Sequence, residues 1–377
     1  MSTKKPSVLF LTSWYPNKKD PQLGIFVKKQ ALAVSQYVNV EVIYVTSGSD
    51  SSEETTVINE HFVERILYFK KTEGILGKYS ALKSWKKTYK KAFLEANTKP
   101  DLVHVHNAFP IGWLIKTIKK RFNTPVIYSE SWSGFVNKKS IPFYKMKIIQ
   151  RLSKKADLIL TVSKFLQLEM QNAGVSGHFE VVGNVIDNID SNTEKHNNGT
   201  TRMLNVSDLN DEIKNISGLI SAFYKANIGN AELHIIGDGP DFDSLLSLAN
   251  QLEAMDRKVV FHGRLANSEV LQLMSRFDFG IINSQYETFS MVGAEFVLSG
   301  LPIITTDCGG PKEFFREGMG LMIRPNKEGE LIAAMENMTA NFSKYRLKEE
   351  QEYIRENFSS ESIGRLLFEH YSSLLKN

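Results

Sequence analysis

The sequence has few of the features that mark secreted or membrane-spanning chains. Its single cysteine, Cys308, excludes an internal disulfide bond and fits a reducing cytoplasm. No apolar run approaches the ~20 residues that a transmembrane helix needs. Met1 to Pro6 lead straight into an apolar run at residues 8–12, without the apolar segment of a signal peptide. We therefore expect a cytoplasmic protein.

Length and composition indicate two globular domains of ordinary size. A chain of 377 residues is too long for one small core. Hydrophobic residues make up 42% and charged residues 23% of the chain, as is usual for a globular protein.

Short apolar runs alternate with helical patterns along the chain, which is typical of parallel α/β architecture. The apolar runs predict strands at residues 8–12, 38–45, 102–106, 126–130, 158–162, 179–182, 203–206, 232–236, 259–263, 279–283 and 302–305. Helical patterns between the strands of the first half predict helices at residues 27–36, 80–97 and 111–122. A polar stretch at residues 187–201 separates two sets of strands. We predict an α/β fold with two Rossmann-like domains, residues 1–187 and 188–360, whose doubly wound parallel sheets face a cleft. A last helix at residues 361–377 can pack on either domain.

The segment from Glu287 to Gly310 carries the most chemical information. Ser290 stands before a predicted helix, whose free amide groups and positive dipole end suit a diphosphate. Glu295 lies about one and a half turns into that helix, where its carboxylate can accept hydrogen bonds from a sugar diol. Two acids beside an anion pocket suit a nucleotide-sugar. A helix-capping acid and an ordinary surface glutamate would explain these residues equally well.

Other polar residues follow predicted strands, where open α/β sheets bind ligands. They are Gly24, His106, Asn107, Glu130, Ser131, Trp132 and the turn Gly237-Asp238-Gly239. We expect His104 and His106 to point to opposite faces of their strand, with His104 in the core. No third ligand at suitable spacing completes a metal site with them, so none is predicted.

These residues, in this order, resemble the retaining family-four glycosyltransferases of the GT-B fold over nearly the whole chain. The motifs that carry the resemblance are Ser13-Trp-Tyr-Pro16, Gly24-Ile-Phe26, Asp101-Leu-Val-His-Val-His106, Asn184-Val-Ile-Asp187, Lys214-Asn215, Ile236-Gly-Asp-Gly-Pro240 and Glu287-x7-Glu295. Glu287-x7-Glu295 is the most specific of them. The resemblance implies transfer of a hexose from a nucleotide-diphosphate sugar with retention of configuration, without a metal ion or other cofactor.

The resemblance also implies roles for single residues. Glu287 resembles the acid that contacts the donor hexose, and Glu295 resembles the acid that binds the ribose. Lys214 resembles the cation paired with the departing diphosphate, although alone it would be interpreted as a solvated surface lysine. Gly24 stands where a side chain would block the phosphates. The loop that offers backbone amides to the sugar and phosphates consists of Thr288, Phe289 and Ser290.

The chain departs from the family pattern at two positions. Ser131 stands where the family often has a histidine that can hydrogen-bond the donor hexose. Leu209 stands where an arginine usually precedes the lysine. Arg264 can supply the missing charge, and His106 can reach the place of the missing histidine. Both departures leave the fold prediction intact and weaken the prediction of efficient catalysis.

Positive charge is concentrated in the first half of the chain. From His61 to Lys155 there are 21 Lys and Arg against 5 acids, a balance of 21 − 5 = +16 in a chain of net charge +4. Aromatic residues are interleaved with these lysines: Tyr79, Trp85, Tyr89, Phe135, Phe143 and Tyr144. Such a surface can dock on anionic lipid. A lysine face kept for solubility is the simpler alternative, and no recognition module for nucleic acid accompanies the charge.

Together these observations predict a retaining hexosyltransferase of cell-surface polysaccharide or lipopolysaccharide biosynthesis. The acceptor would be a glycan or a lipid-linked glycan held on the first domain, with the donor on the second. The residues predicted for the acceptor side are His106, Asn107, Glu130, Ser131 and Trp132. We expect a cytoplasmic protein that lies peripherally on the inner face of the plasma membrane. Two alternatives stay open: a sugar-nucleotide epimerase of the same architecture, and a weakened sugar-nucleotide-binding partner.

Overall fold

The computed structural model describes residues 5–70, 77–95, 99–137, 141–187, 199–252 and 257–376. The chain divides into two compact units, one of Met1–Val185 with Ser360–Asn377 and one of Ile186–Ser359. Most of the polar stretch that prompted the predicted boundary, residues 188–198, lies outside the described residues.

The first unit is built on a sheet of eight strands. They are β1 (Ser7–Thr12), β2 (Asn39–Gly48), β3 (Ser52–Asn59), β4 (Phe62–Lys70), β5 (Leu102–His106), β6 (Val126–Glu130), β7 (Leu158–Thr161) and β8 (Phe179–Val181). Their order is β3-β4-β2-β1-β5-β6-β7-β8, and every neighbouring pair is parallel except β3 and β4. The central strands β1 and β5 are buried along almost their whole length, as expected of a parallel sheet covered on both faces; β5 carries His104 and His106 among its apolar residues.

Helices cover this sheet. They are α1 (Ile25–Val34), α2 (Gly77–Glu95), α3 (Ile115–Phe122), α4 (Phe143–Ser153) and α5 (Lys164–Asn172). The structure confirms the predicted helices at residues 27–36 and 80–97 with slightly shifted ends. It divides the predicted helix 111–122 into a 3₁₀ turn, Ile111–Leu114, and α3.

The second unit has an all-parallel sheet of six strands. They are β9 (Thr201–Val206), β10 (Ala231–Ile236), β11 (Arg257–Phe261), β12 (Phe279–Ile282), β13 (Ile303–Thr306) and β14 (Gly320–Ile323). Their order, β11-β10-β9-β12-β13-β14, reverses direction at β9, which is the doubly wound pattern. Its helices are α6 (Asp211–Lys214), α7 (Ile216–Lys225), α8 (Phe242–Leu252), α9 (Asn267–Met274), α10 (Met291–Leu298), α11 (Glu328–Asn341) and α12 (Lys348–Phe358). The prediction of two α/β domains with parallel sheets is therefore confirmed.

The last helix, α13 (Ser360–Leu375), belongs to the first unit. It packs on α1, where the rings of Tyr37 and Phe368 stack with centroids 5.3 Å apart. The helices approach so closely that a Cβ on Gly364 would lie 2.4 Å from the carbonyl oxygen of Ala33. The structure thus answers a question that the sequence left open.

Candidate functional site

In the second unit, the loop after β12 places Glu287 against the loop after β13. The amide of Glu287 donates to the carbonyl of Cys308 at 3.1 Å, and the amide of Gly310 donates to the carbonyl of Glu287 at 2.9 Å. A side chain on Gly310 would lie 2.3 Å from the amide nitrogen of Phe289, so only glycine permits this contact. Two backbone hydrogen bonds, one of them from Gly310, therefore fix the position of Glu287.

The side chain of Glu287 forms an ion pair with Lys214. Lys214 Nζ lies 2.5 Å from Glu287 Oε1, and Ser284 Oγ donates to the same oxygen at 2.8 Å. Both charged side chains are more than four-fifths buried. Burial alone lowers the pKa of Lys214, but the charge and the hydrogen bond of Glu287 outweigh it, so that the pKa is raised. Lys214 is therefore a permanent cation.

Lys214 owes its position to the end of a short helix. It is the last residue of α6, and Asn215 stops that helix in the left-handed conformation, with φ 48°. The loop after β12 is tied to this turn, because Asn283 Nδ2 donates to the carbonyl of Asn215 at 2.9 Å and Gln285 N donates to that of Ile213 at 2.7 Å. Sequence reasoning found Lys214 and Glu287 but missed Ser284, although it follows a buried strand.

Helix α10 begins directly after this loop, as predicted. Ser290 occupies the N-cap position in the left-handed conformation, with φ 72°, and its side chain makes no capping hydrogen bond. The predicted N-cap position of Ser290 is therefore confirmed, although its side chain does not bond the helix amides. Because the Ser290 hydroxyl does not bond the first backbone amides of α10, these amides can donate to a ligand. Together with the helix dipole, such amides favour an anion.

Phe289 and Glu295 flank this helix end on its buried side. The Phe289 ring is 1% exposed and packs between Phe314 and Phe358, so its side chain anchors the loop while Thr288 and Ser290 stay half-buried. Glu295 is 2% exposed within α10. Its role toward a ribose stays a prediction.

A second cation stands near Lys214. Arg264 lies 4.0 Å from the carboxylate of Asp208, and the charge of Asp208 also acts on Lys214. Leu209, at the position of the expected arginine, is fully buried. Its backbone is bonded to the glycine turn, since Leu209 N donates to the carbonyl of Asp238 at 3.0 Å. Leu209 is therefore part of the core, and a cationic side chain at this position would have to point out of the core.

The remaining polar groups of the second unit have local roles. The carboxylate of Asp241 accepts the amide of Asp211 at 2.8 Å, and that of Asp238 accepts the amide of Gly239 at 2.8 Å. Burial raises the pKa of the Cys308 thiol to about 12, so it is no nucleophile near neutral pH. Among the residues that the structure describes, no three His, Cys, Asp or Glu side chains are grouped as metal ligands.

In the first unit, Glu130 holds together the loops after β5 and β6. Its Oε1 accepts hydrogen bonds from Asn107 Nδ2 at 2.9 Å and from the amides of Ser131 and Trp132 at 3.0 Å. Its Oε2 accepts the Tyr128 hydroxyl at 2.5 Å and the Ala108 amide at 3.2 Å. Glu130 is buried and its two oxygens accept five hydrogen bonds, so it holds the loops of the site in shape. Its place on the acceptor side stays a prediction.

His104 and His106 do not point to opposite faces of β5. Their ring centroids lie 4.0 Å apart, because residues two apart on a strand share a face. His104 is bonded through both nitrogens, to the Tyr371 hydroxyl at 2.7 Å and to Ser129 Oγ at 2.6 Å. His106 Nε2 is buried and has no partner among the described residues. Burial lowers the pKa of His106 to about 3, so its ring is neutral.

The His106 ring lines a small cavity together with Gln30, Asn107, Ser131 and Thr161. Ser131 Oγ accepts from Asn107 Nδ2 at 3.0 Å, which places the hydroxyl in the same network as Glu130. The structure thus brings the five residues predicted for the acceptor side together at the carboxyl ends of β5 and β6.

Gly24 has a local reason to be glycine. It precedes α1 with φ 65°, and a Cβ there would lie 2.4 Å from the carbonyl oxygen of Trp14. Trp14, which follows β1, lines a larger pocket with Phe109, Trp132 and Lys145. Sequence reasoning missed both Trp14 and Lys145 as pocket residues.

Three lysines contact aromatic rings at exposed or half-buried positions of the first unit, and with Tyr144 we call this set the lysine–aromatic surface. The ammonium groups of Lys86, Lys145 and Lys147 lie 4.7, 4.8 and 4.3 Å from the ring centroids of Trp113, Phe109 and Phe143. Phe143 and Tyr144 are 74% and 54% exposed.

Three aromatic residues predicted for this surface are instead in the core: Trp85, Tyr89 and Phe135 are at most 7% exposed. Lys138 and Lys139, also counted with the basic residues, lie outside the described residues. No helix in the described ranges is both long and apolar enough to cross a bilayer.

Both units of the chain match families of known proteins. Residues 186–357 match the family described as Glycosyl transferases group 1, and residues 31–188 match Glycosyltransferase Family 4. A glycogen synthase of Mycobacterium tuberculosis is 25% identical over 268 residues, 66% of this chain and 62% of the relative. The lipopolysaccharide 1,6-galactosyltransferase of Escherichia coli K12 is 28% identical over 181 residues, 47% of this chain and 48% of the relative.

The N-acetyl-alpha-D-glucosaminyl L-malate synthase of Bacillus anthracis is 33% identical over 108 residues, 28% of either chain. The chain therefore matches between about a quarter and two thirds of the length of these three relatives.

Solved structures resemble the whole chain. Sucrose-phosphate synthase from Thermosynechococcus elongatus superposes with a TM-score of 0.78 at 17% identity, covering 98% of this chain and 99% of that one. Anabaena Alr3699/HepE, in complex with UDP and glucose, gives 0.74 at 18% identity, covering 98% and 100%. At such identities the likeness shows the fold, which is GT-B.

Proposed function

Since the chain belongs to the group 1 glycosyltransferases, we propose that it moves a hexosyl unit from a nucleotide-diphosphate sugar to a glycan or lipid-linked acceptor, with retention of anomeric configuration. The observation that carries this proposal is the Lys214–Glu287 pair beside the uncapped end of α10. Solved relatives of the same fold are complexes with UDP and with UDP-glucose, which supports a donor of this class.

The donor diphosphate would lie against the first amides of α10, with Lys214 and Arg264 as its cations. The bond between the sugar and the diphosphate breaks as the leaving group gains negative charge. Fixed donors aimed at that charge stabilise the transition state more than the ground state. Lys214 is suited to this task because Glu287 and the surrounding loop already hold its ammonium group in place.

Glu287 would orient the hexose. Its Oε1 is taken by Lys214 and Ser284, while Oε2 accepts no hydrogen bond within the described part of the chain and can accept a sugar hydroxyl. Glu295 would accept the ribose hydroxyls. In this proposal a phosphate oxygen of the leaving group takes the proton of the acceptor hydroxyl as the new glycosidic bond forms on the same face. No protein base and no metal ion are then required.

The acceptor would bind the first unit at the carboxyl ends of β1, β5 and β6. His106 is neutral, so its Nε2 can exchange a hydrogen bond with a hydroxyl without adding charge. His106 can in this way replace the histidine that Ser131 displaces. Glu130 and Asn107 hold the two loops in register around it.

A membrane location is proposed from the lysine–aromatic surface. Cations near an anionic bilayer contribute about 1 kcal/mol each, and exposed rings such as Phe143 and Tyr144 insert at the headgroup level. We place the protein on the cytoplasmic face of the plasma membrane, in the synthesis of a cell-surface polysaccharide or lipopolysaccharide. Sedimentation with phosphatidylglycerol vesicles at low salt, and none with phosphatidylcholine vesicles, is expected. Equal sedimentation with both contradicts it.

The function is tested first by donor binding and then by product chemistry. One series of UDP-, GDP- and ADP-sugars should raise the melting temperature, since a ligand at 100 times its Kd adds about 2.7 kcal/mol of stability. The bound donor is next incubated with acceptor extracts, and the anomeric configuration of the product is read by NMR. Inversion of configuration contradicts the retaining mechanism.

The same donor incubated alone separates the alternatives. An isomerised sugar-nucleotide identifies an epimerase. Donor binding without any labelled acceptor, unchanged by Ser131→His, identifies a binding partner that has lost activity. Absence of stabilisation by every nucleotide-sugar contradicts the proposed function itself.

A further inference from the structure

A pocket of about 140 Å³ lies in the first unit, at the loops that follow β1, β5 and β6. Three aromatic side chains line it, those of Trp14, Phe109 and Trp132, and all three are half-buried. A cavity of about 150 Å³ holds benzene in an engineered protein, so this pocket has the size for one six-membered ring. Aromatic walls suit the C–H faces of a pyranose.

A lysine ammonium group stands at this pocket. Lys145 Nζ, on α4, lies 4.8 Å from the ring centroid of Phe109 and 5.6 Å from that of Trp132. The two rings hold the cation at the pocket by cation–π attraction, because each ring face is negative. Lys145 forms no ion pair with any acid in the described residues. Its charge is thus available to a ligand.

The pocket's own acid does not neutralise that charge by pairing with it. Glu130 lines the pocket, but its two oxygens already accept five hydrogen bonds, from a phenol, a side-chain amide and three backbone amides. Each of these donors loses its partner if Glu130 turns toward Lys145, and an unsatisfied buried donor costs about 1–3 kcal/mol. Within the described part of the chain, the ammonium group of Lys145 therefore has no counter-ion.

We propose that this pocket binds one pyranose ring of an acidic acceptor, and that Lys145 pairs with the anionic group of that ring. The inference rests on the proposed function, because it assigns the acceptor's chemical class. The aromatic walls stack on the ring, and the ammonium group receives the carboxylate of a uronic acid or the phosphate of a sugar phosphate. An anion is repelled by the ring faces, so Lys145 alone decides where it lies.

The test measures binding of three sugars to the full chain without donor: methyl glucuronide, methyl glucoside and glucose 6-phosphate. Titration calorimetry or ligand-observed NMR gives each affinity. At least one acidic sugar is expected to bind about tenfold tighter than methyl glucoside, since hydrogen bonds to charged groups are the stronger ones. The better acidic ligand distinguishes a carboxylate from a phosphate.

Two matched lysine variants locate the charge. Lys145→Met should bring the acidic sugar to the affinity of methyl glucoside, whereas Lys147→Met, whose lysine lies over the exposed Phe143 outside the pocket, should leave the preference intact. Lys145→Arg should retain it. Melting temperatures establish that each variant is folded.

Any of three results would overturn the inference. They are equal affinity of the protein for acidic and neutral sugars, no binding of either acidic sugar, and a loss of affinity for the acidic sugar in Lys147→Met as large as that in Lys145→Met. Donor binding is measured beside these titrations. If UDP-, GDP- or ADP-sugars stabilise the protein but Lys145→Met does not weaken the binding of acidic sugars, the inference fails and the proposed function stands. If no nucleotide-sugar binds, the proposed function fails whatever the sugars do.

Discussion

Lys214, at the end of α6 after β9, and Glu287, in the loop after β12, meet as a largely buried ion pair of 2.5 Å. Removal of the lysine leaves a largely buried carboxylate whose one remaining partner, within the part of the chain that the structure describes, is Ser284. Lys214→Met should therefore lower the stability of the protein by about 1–3 kcal/mol. It should also lower the turnover number by about 10²–10³, since one charge stabiliser of the leaving group is lost.

Urea unfolding and turnover of the same preparations check this prediction. Lys225→Met is the matched control, because Lys225, at the C-terminal end of α7, forms an exposed pair with Glu328, 2.7 Å apart. Exposed pairs contribute about 0–1 kcal/mol, so this variant should keep both stability and turnover. Full turnover by Lys214→Met would contradict the role of the lysine.

Glu295 should matter to the donor more than to the fold when it is replaced by an isostere. Because Glu295 is 2% exposed, truncation to alanine would also open a cavity in α10. Glu295→Gln keeps the shape and removes the charge. We expect it to abolish most of the roughly 2.7 kcal/mol that a nucleotide-sugar adds at 100 times its Kd. A thermal titration measures this, and an unchanged donor affinity would disprove the ribose role.

Protonation of His106 should weaken the fold in acid. Burial lowers the pKa of His106 from 6.5 to about 3, so the unfolded chain takes up a proton that the folded chain excludes. Stability from this group is complete above pH 6.5 and falls as the pH drops from 6.5 toward 3, by about 1.4 kcal/mol per pH unit. His106→Gln should make the acid side of the stability profile shallower.

Urea midpoints between pH 4 and 7.5 give that profile. The control is His178→Gln, which replaces a ring that is 69% exposed and should leave the slope as it is. An identical slope in His106→Gln and the unchanged protein would show that His106 is not kept neutral by the fold.

Alanine substitutions at Gly24 and Gly229 distinguish the cost of backbone strain from the cost of a steric clash. Both have φ 65°, but a Cβ on Gly24 would lie 2.4 Å from the carbonyl oxygen of Trp14, whereas nothing lies within 4 Å of one on Gly229. Gly229→Ala should cost only the left-handed strain, about 1–2 kcal/mol. Gly24→Ala should cost clearly more and shift Trp14. Urea unfolding compares the two, and equal losses would mean that the loop yields easily.

The sequence allows prediction of those elements whose apolar period is unbroken. The buried parallel strands and the Glu287 loop lie where the pattern predicts them. The hairpin of β3 and β4 was missed because β3 is largely exposed and polar, with Thr55 and Thr56 at its centre, so it shows no alternating apolar face. Strand β14 was missed for its length, since four residues give too short a pattern.

Side-chain partners were harder to predict than elements. The sequence indicates that Glu130 follows a strand, but five donors from residues 107–132 converge on it only after folding. Lys145 carries no signal of its own, because its ring partners Phe109 and Trp132 are distant in the chain. Contacts of this kind depend on how loops pack against one another, and the local pattern of apolar residues in the sequence does not predict that packing.

The return of α13 to the first unit means that the chain passes between the units twice, at residues 185–186 and 359–360. The two ends of the second unit lie together, since the amide of Ile186 donates to the carbonyl of Phe358 at 2.8 Å. One uninterrupted gene fragment encodes the second unit, whereas the first unit is discontinuous. Deletion of the C-terminal helix would remove the Tyr371 hydroxyl that bonds His104. It would therefore destabilise the first unit, most of which is encoded at the opposite end of the gene.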